Sequence, residues 1–138
     1  MRGKMKKGLH FFIVIYLVLI LVGCVSQKPT QKPEAAVVNK IKPEAAKELL
    51  EGENPPTLVD VREPNEFSDG HIPNAINIPL GDVVNGVNQA GLAKDAPIMV
   101  YCRSGARSAD AARKLINAGY TQIYDLGGII NWPYETVK

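Results

Sequence analysis

The chain reads as an α/β protein, a single domain built on an open parallel sheet of about five strands with helices on both faces. Three observations predict this. Short apolar runs of strand length alternate with stretches whose apolar residues recur at helical spacing. Proline and glycine stand at the transitions between them. One apolar run, 98–101, passes through a short polar loop straight into an amphipathic helix, as a parallel strand–helix unit requires.

Taken in order, 37–41 suits a short edge strand. Pro43 fits the first turn of a helix over 44–50, where Ala45, Ala46, Leu49 and Leu50 recur at helical spacing and Gly52 is the stop. Lys42 stands where a capping Ser or Thr would be expected. Asn54-Pro55-Pro56 is a turn and 57–61 a strand. Pro64 opens a helix of one to two turns through Phe67, ended by Asp69-Gly70, and 75–78 is a short strand stopped by Pro79. The stretch 80–92 is ambiguous, because Gly81, Gly86 and Gly91 weaken any long helix. After the strand 98–101, a helix over 108–118 puts Ala111, Ala112, Leu115 and Ile116 on one face, with Gly119 as its C-terminal cap. A last strand, 123–126, turns at Gly127-Gly128 into a short helix over 129–132.

Ahead of this domain lies a segment of different character. Of 138 residues, the first 23 carry Arg2, Lys4, Lys6 and Lys7 and no acid, which leaves a mildly acidic remainder. An unbroken apolar run, 11–22, comes after the basic start; it is short for a spanning helix and suits a signal-peptide core. Leu21-Val22-Gly23-Cys24 resembles a bacterial lipobox, which implies cleavage before Cys24 and diacylglycerol on its sulfur. An uncleaved anchor helix is the other reading; either tethers the domain to a membrane, on the extracytoplasmic side of a bacterial cell envelope. This divides the chain into a lipoprotein signal peptide (1–23), a lipidated cysteine with a polar, proline-containing linker (24–37), and the folded domain (38–138).

No cluster of Lys and Arg of the kind that binds nucleic acid occurs outside the leader, apart from two loop arginines. His and acidic residues are too scattered for a metal site, and no phosphate-binding glycine motif appears, so no cofactor is expected. The two cysteines, Cys24 and Cys102, each have a local explanation that a mutual disulfide lacks.

Cys102 comes just after the carboxyl end of the strand 98–101, where sites lie in parallel sheets. The loop Cys102-Arg103-Ser104-Gly105-Ala106-Arg107-Ser108 then opens a helix. Its free backbone N–H groups, the helix dipole and two arginines make an anion bowl, and a thiol there is expected to favour the reactive thiolate. Gly105 suits a backbone that turns tightly; Arg103 and Arg107 are candidates to fork onto an anionic donor; Ser108 is a candidate helix cap; the Ser104 and Ser108 hydroxyls are candidates to touch bound sulfur or substrate oxygens.

The segment 101–108 resembles the active loop of the rhodanese (sulfurtransferase) family. Leu58-Val59-Asp60-Val61-Arg62-Glu63, continuing through Glu66-Phe67 and 70–79, resembles the family's first signature, and Gly127-Gly128 with Trp132 after it resembles its ending. The resemblance spans about 38–138. It implies transfer of a sulfane sulfur from a donor such as thiosulfate, through a Cys102 persulfide, to cyanide or a thiol, with residues 103–108 binding the substrate. It also implies a supporting role for Asp60, with Arg62 as its partner; a strand-end salt bridge that shapes a turn is an equal reading. Glu63 and Glu66 read as surface or helix-start charges, His71 as a turn-stabilising residue rather than a base, and Trp132 as a packing residue or site wall rather than a catalytic one.

The implied partners are a small anionic sulfur donor, a thiol or protein acceptor, and the membrane through the lipid, with no nucleic acid. Two rivals stand beside this: a persulfide carrier or partner-binding module without turnover, and a cysteine phosphatase or arsenate reductase. The latter enzymes resemble Cys-x5-Arg, whereas Cys102 and Arg107 here form Cys-x4-Arg, a bowl sized for sulfur rather than phosphate.

Overall fold

The computed structural model describes residues 36–138; the leader, the expected lipidation site Cys24 and most of the linker lie outside the described residues. Five parallel strands, β1 (Val37–Lys40), β2 (Thr57–Asp60), β3 (Ile76–Asn77), β4 (Ile98–Cys102) and β5 (Gln122–Gly128), form one sheet in the order β1-β5-β4-β2-β3. Four α-helices connect them: α1 (Pro43–Leu50), α2 (Pro64–Asp69), α3 (Val83–Gln89) and α4 (Ala106–Asn117). The ambiguous stretch after Pro79 resolves into a 3-10 turn, Leu80–Asp82, running into the short α3. Helix α1 starts at Pro43, and Lys42, in the N-cap position, makes no side-chain capping bond, in keeping with the missing Ser or Thr.

Strand β4 is central and every one of its residues is buried. Successive side chains point to opposite faces of a strand. Ile98, Val100 and Cys102 accordingly pack with Val59, Val61 and the buried faces of α3 and α4, through Val83, Val87, Ala111, Ala112 and Leu115. Met99 and Tyr101 pack on the other side with Leu58, Ile72, Leu126 and Ala46 of α1. The period of two therefore decides that the thiol of Cys102 belongs to the α4 face. Two cores, one on each face, make the sheet's interior strands apolar on both sides, as a parallel sheet covered by helices demands.

The register of β4 with β5 slips between Val100 and Tyr101: Val100 faces Asp125, but Tyr101 faces Gly127 and Cys102 faces Gly128. Leu126 is the extra residue, and the Asp125 carboxylate accepts a hydrogen bond from the Gly127 N–H at 3.0 Å, holding the irregularity. Such bulges bend a strand and re-aim the residues beyond them. Here the effect is to set a glycine opposite Cys102.

Candidate active site

Cys102 is the last residue of β4 and is only 1% exposed. The strand runs one residue further than the apolar run predicts, so the cysteine is held by sheet pairing rather than by the loop. Only Arg103, Ser104 and Gly105 then lie outside regular structure before α4 begins at Ala106. The sequence places the helix start at Ser108 with that serine as cap; instead Gly105 is the N-cap, at φ 109°, a left-handed conformation that glycine adopts without a Cβ penalty. Ser108 sits inside the first turn, fully buried, and its hydroxyl donates to the Gly105 carbonyl at 3.0 Å. It does not cap the helix; it ties the first turn back to the loop.

The Gly105 N–H donates to Cys102 Sγ at 3.0 Å. The N–H groups of Ala106, Arg107 and Ser108 belong to the first turn of α4, where no intrahelical carbonyl exists for them. The positive end of the helix dipole lies at the same point. A sulfur carrying negative charge at Cys102 therefore meets a directed donor, orphan N–H groups and a favourable dipole together.

Room for this loop is made by glycines. A Cβ on Gly128 would stand 2.4 Å from the Arg103 carbonyl oxygen and 2.7 Å from Ser104 Cα, distances no side chain tolerates. Gly105 in turn passes close to Gly127, whose Cα would lie 3.7 Å from a Cβ there. The Arg103 carbonyl accepts the Ile130 N–H at 3.2 Å, closing the loop against the end of β5. From sequence Gly127-Gly128 reads as a turn within the stretch that resembles the family's ending; a pair of glycines at a strand end opposite a loop is the signal for this contact.

The two loop arginines part company. Arg103 is exposed, and its guanidinium has no hydrogen-bond or ion-pair partner among the described residues. Arg107, expected to fork onto a donor, forks instead onto Glu66 of α2, Nη1 to Oε2 at 2.7 Å and Nη2 to Oε1 at 2.8 Å. That hydrogen-bonded guanidinium is the main cause that holds the Glu66 carboxyl down at about 2, and the same carboxylate raises the Arg107 pKa. Glu66 also accepts the Glu63 N–H at 3.0 Å, so one carboxylate fixes both the start of α2 and the loop's last arginine. The sequence marks Glu66 as a surface or helix-start charge within the stretch that resembles the family's first signature, with no partner assigned.

Asp60 and Arg62 do pair, and both are buried. The carboxylate accepts from the Arg62 backbone N–H, Nε and Nη2, the last at 2.6 Å, and the guanidinium also donates to the Gly70 carbonyl at 2.8 Å. In register with Tyr101 and lying against its ring, the pair occupies the face opposite the Cys102 side chain. None of the pair's side-chain hydrogen bonds reaches the loop; they join the end of β2 to the end of α2. Tyr101 accepts the Ile72 N–H at 3.1 Å, and burial first, then the Asp60 charge, raises its pKa. His71 stacks on Phe67, with Nδ1 2.9 Å from the Phe67 carbonyl, and its backbone pairs with Val137. Trp132 joins the α1-side core, its indole N–H donating to the Glu135 carbonyl at 3.3 Å.

An open parallel α/β sheet with a cysteine at a central strand end, beneath an N–H-lined turn into a helix, defines a class of domain built around one thiol. This chain belongs to the rhodanese-like domain family, whose profile it matches over residues 42–134. It is 35% identical over 104 residues to the thiosulfate sulfurtransferase GlpE of Pseudomonas syringae, covering 72% of this chain and 94% of that protein. It is 46% identical over 76 residues to the Bacillus subtilis protein YqhL, covering 54% of this chain and 59% of YqhL. Among solved structures, the rhodanese-like domain of an Anabaena protein superimposes with a TM-score of 0.67 at 29% identity, covering 73% of this chain and 80% of that one.

Proposed function

We propose that the domain is a sulfurtransferase that carries a sulfane sulfur on Cys102. The observation that carries this reading is the thiol's place: Sγ at the floor of a short turn, with the Gly105 N–H already on it and the first turn of α4 behind it. In the loading step the Cys102 thiolate attacks the outer sulfur of thiosulfate. A Cys–S–S bond forms, the S–S bond of thiosulfate breaks, and sulfite leaves with the electron pair. In the unloading step a thiophilic acceptor attacks the persulfide's terminal sulfur and the thiolate returns; with cyanide the product is thiocyanate. The thiolate that attacks and the persulfide anion it becomes both carry negative charge, so donors fixed before the reaction stabilise each without rearrangement. Similarity to a thiosulfate sulfurtransferase supports thiosulfate as the donor.

The thiol's burial and the short loop favour a single sulfur atom over a tetrahedral oxyanion. An oxyanion clamp would need the fork of Arg107, and that fork is taken by Glu66. The experiment is mass spectrometry of the protein after thiosulfate treatment, with turnover measured against cyanide and low-molecular-weight thiols. A gain of about 32 Da, lost in Cys102→Ser, is expected. No adduct, or one that survives the substitution, removes the proposal; an adduct without turnover on any acceptor favours the carrier reading.

The domain's place is proposed as the bacterial cell envelope, held there by lipid on Cys24. The basic start, apolar run and Gly23-Cys24 step support this. Mass analysis of the protein from host membranes should find a lipid-modified Cys24 at the N-terminus; an intact Met1 N-terminus overturns it.

A further inference from the structure

A second structure is built against this loop. Helix α2 is fastened at both ends. At its carboxyl end the buried Arg62, itself locked on Asp60, donates to the Gly70 carbonyl at 2.8 Å. At its amino end the Glu66 carboxylate turns back to the Glu63 N–H. Between these fastenings the same carboxylate reaches across to α4 and takes both terminal nitrogens of Arg107. Arg107 sits next to Ala106 in the first turn of α4, whose N–H groups line the cradle. A bidentate pair fixes orientation as well as distance. The pair is about one-third exposed at most, so it is reachable by solvent.

We infer that Glu66 is a positioning residue for the Cys102 loop: it holds Arg107 to α2, fixes the first turn of α4 over the thiol, and leaves Arg103 as the guanidinium that meets an anionic donor. The kinetic arm and the assignment of Arg103 rest on the sulfur-transfer reading; the positioning by Glu66 does not. The chain of support runs Asp60–Arg62–α2–Glu66–Arg107–α4, so the buried pair on the far face of the sheet connects to the loop only through α2. It also divides two like residues by task. Arg107 has its fork on a carboxylate of its own chain, while Arg103 projects from the loop with no side-chain partner among the described residues.

The test is a double-mutant cycle on the full chain with Glu66→Gln, Arg107→Ala and the pair together, beside Arg103→Ala. kcat and KM for thiosulfate are read separately, well below each variant's unfolding transition. Glu66→Gln and Arg107→Ala should each lower kcat about tenfold and leave KM within about twofold, because they misplace donors rather than remove binding. The double variant should be no slower than the worse single one, since each substitution dissolves the same pair. Arg103→Ala should instead raise KM about tenfold with a smaller change in kcat. A rise in KM for Arg107→Ala like that of Arg103→Ala overturns the inference, as does a double variant in which the two losses multiply. Alkylation of Cys102 by iodoacetamide gives an arm that needs no sulfur transfer. Its rate should change by a common factor in the two single variants and the double, and an unchanged rate in all three counts against the inference. If the wild-type protein shows no transfer at all, the proposed function fails while the alkylation arm still decides the role of Glu66.

Discussion

The guanidinium of Arg107 and the carboxylate of Glu66 meet in two parallel hydrogen bonds, 2.7 and 2.8 Å long, between residues 41 apart in the chain. The contact joins the turn that cradles Cys102 to a helix two strands earlier in sequence. It makes a charge balance at the site depend on a residue that belongs to no loop motif.

That pair gives the protein an acid-sensitive support. The Glu66 carboxyl titrates at about 2 in the folded protein against an ordinary 4.5, chiefly because Arg107 hydrogen-bonds the ionised form. The stability it contributes is present in full above 4.5 and is lost as pH falls through about 2. Side chains exposed by 32% and 26% keep the contribution modest, about 1 kcal/mol. Urea midpoints measured from about pH 6 down to about pH 2 should therefore fall less steeply for Glu66→Gln than for the wild type. Parallel curves would show that the pair contributes nothing to folding.

Gly128 should tolerate no side chain. The clash of an alanine Cβ is with backbone, the Arg103 carbonyl at 2.4 Å, so the loop itself must move. Gly128→Ala is expected to cost about 1–3 kcal/mol in chemical denaturation. It should also slow sulfur transfer by more than about tenfold through displacement of the Cys102 cradle. Gly81→Ala, where a Cβ meets nothing within 4 Å, is the control and should leave both within error.

The Asp60–Arg62 pair should be the most damaging charged site to break. Asp60 is fully buried and Arg62 nearly so, and removing the carboxylate strands a guanidinium in the core. Asp60→Ala is expected to destabilise by about 3–5 kcal/mol. Replacing both residues with apolar ones of similar volume should cost less than the single change. Thermal or urea unfolding of the three variants checks this, and a double variant worse than Asp60→Ala would contradict it.

Much of this architecture is legible in the sequence because its signals are local. Apolar runs of strand length, Pro43 and Pro64 at helix starts, and Gly119 after the last helical turn mark the elements within a residue or two. Ser108 misleads because a serine ahead of an apolar helix face is an ordinary cap. Gly105 takes that place because the left-handed turn, at φ 109°, closes the loop on Cys102 Sγ. Glu66 escapes notice because a carboxylate in a helix's first turn needs no partner to be explained.

By itself, then, the sequence determined a parallel α/β domain with Cys102 at the carboxyl end of a buried strand, since strand period, helix period and caps all act over a few residues. Only the tertiary structure decided which arginine stays free, that Gly128 must be empty for the loop to pass, and that Asp60 and Arg62 face away from the thiol. Those depend on sheet register and on where α2 lands against α4. A bidentate pair, a clash at 2.4 Å and the choice of sheet face are set by positions in space that no short window of the chain encodes.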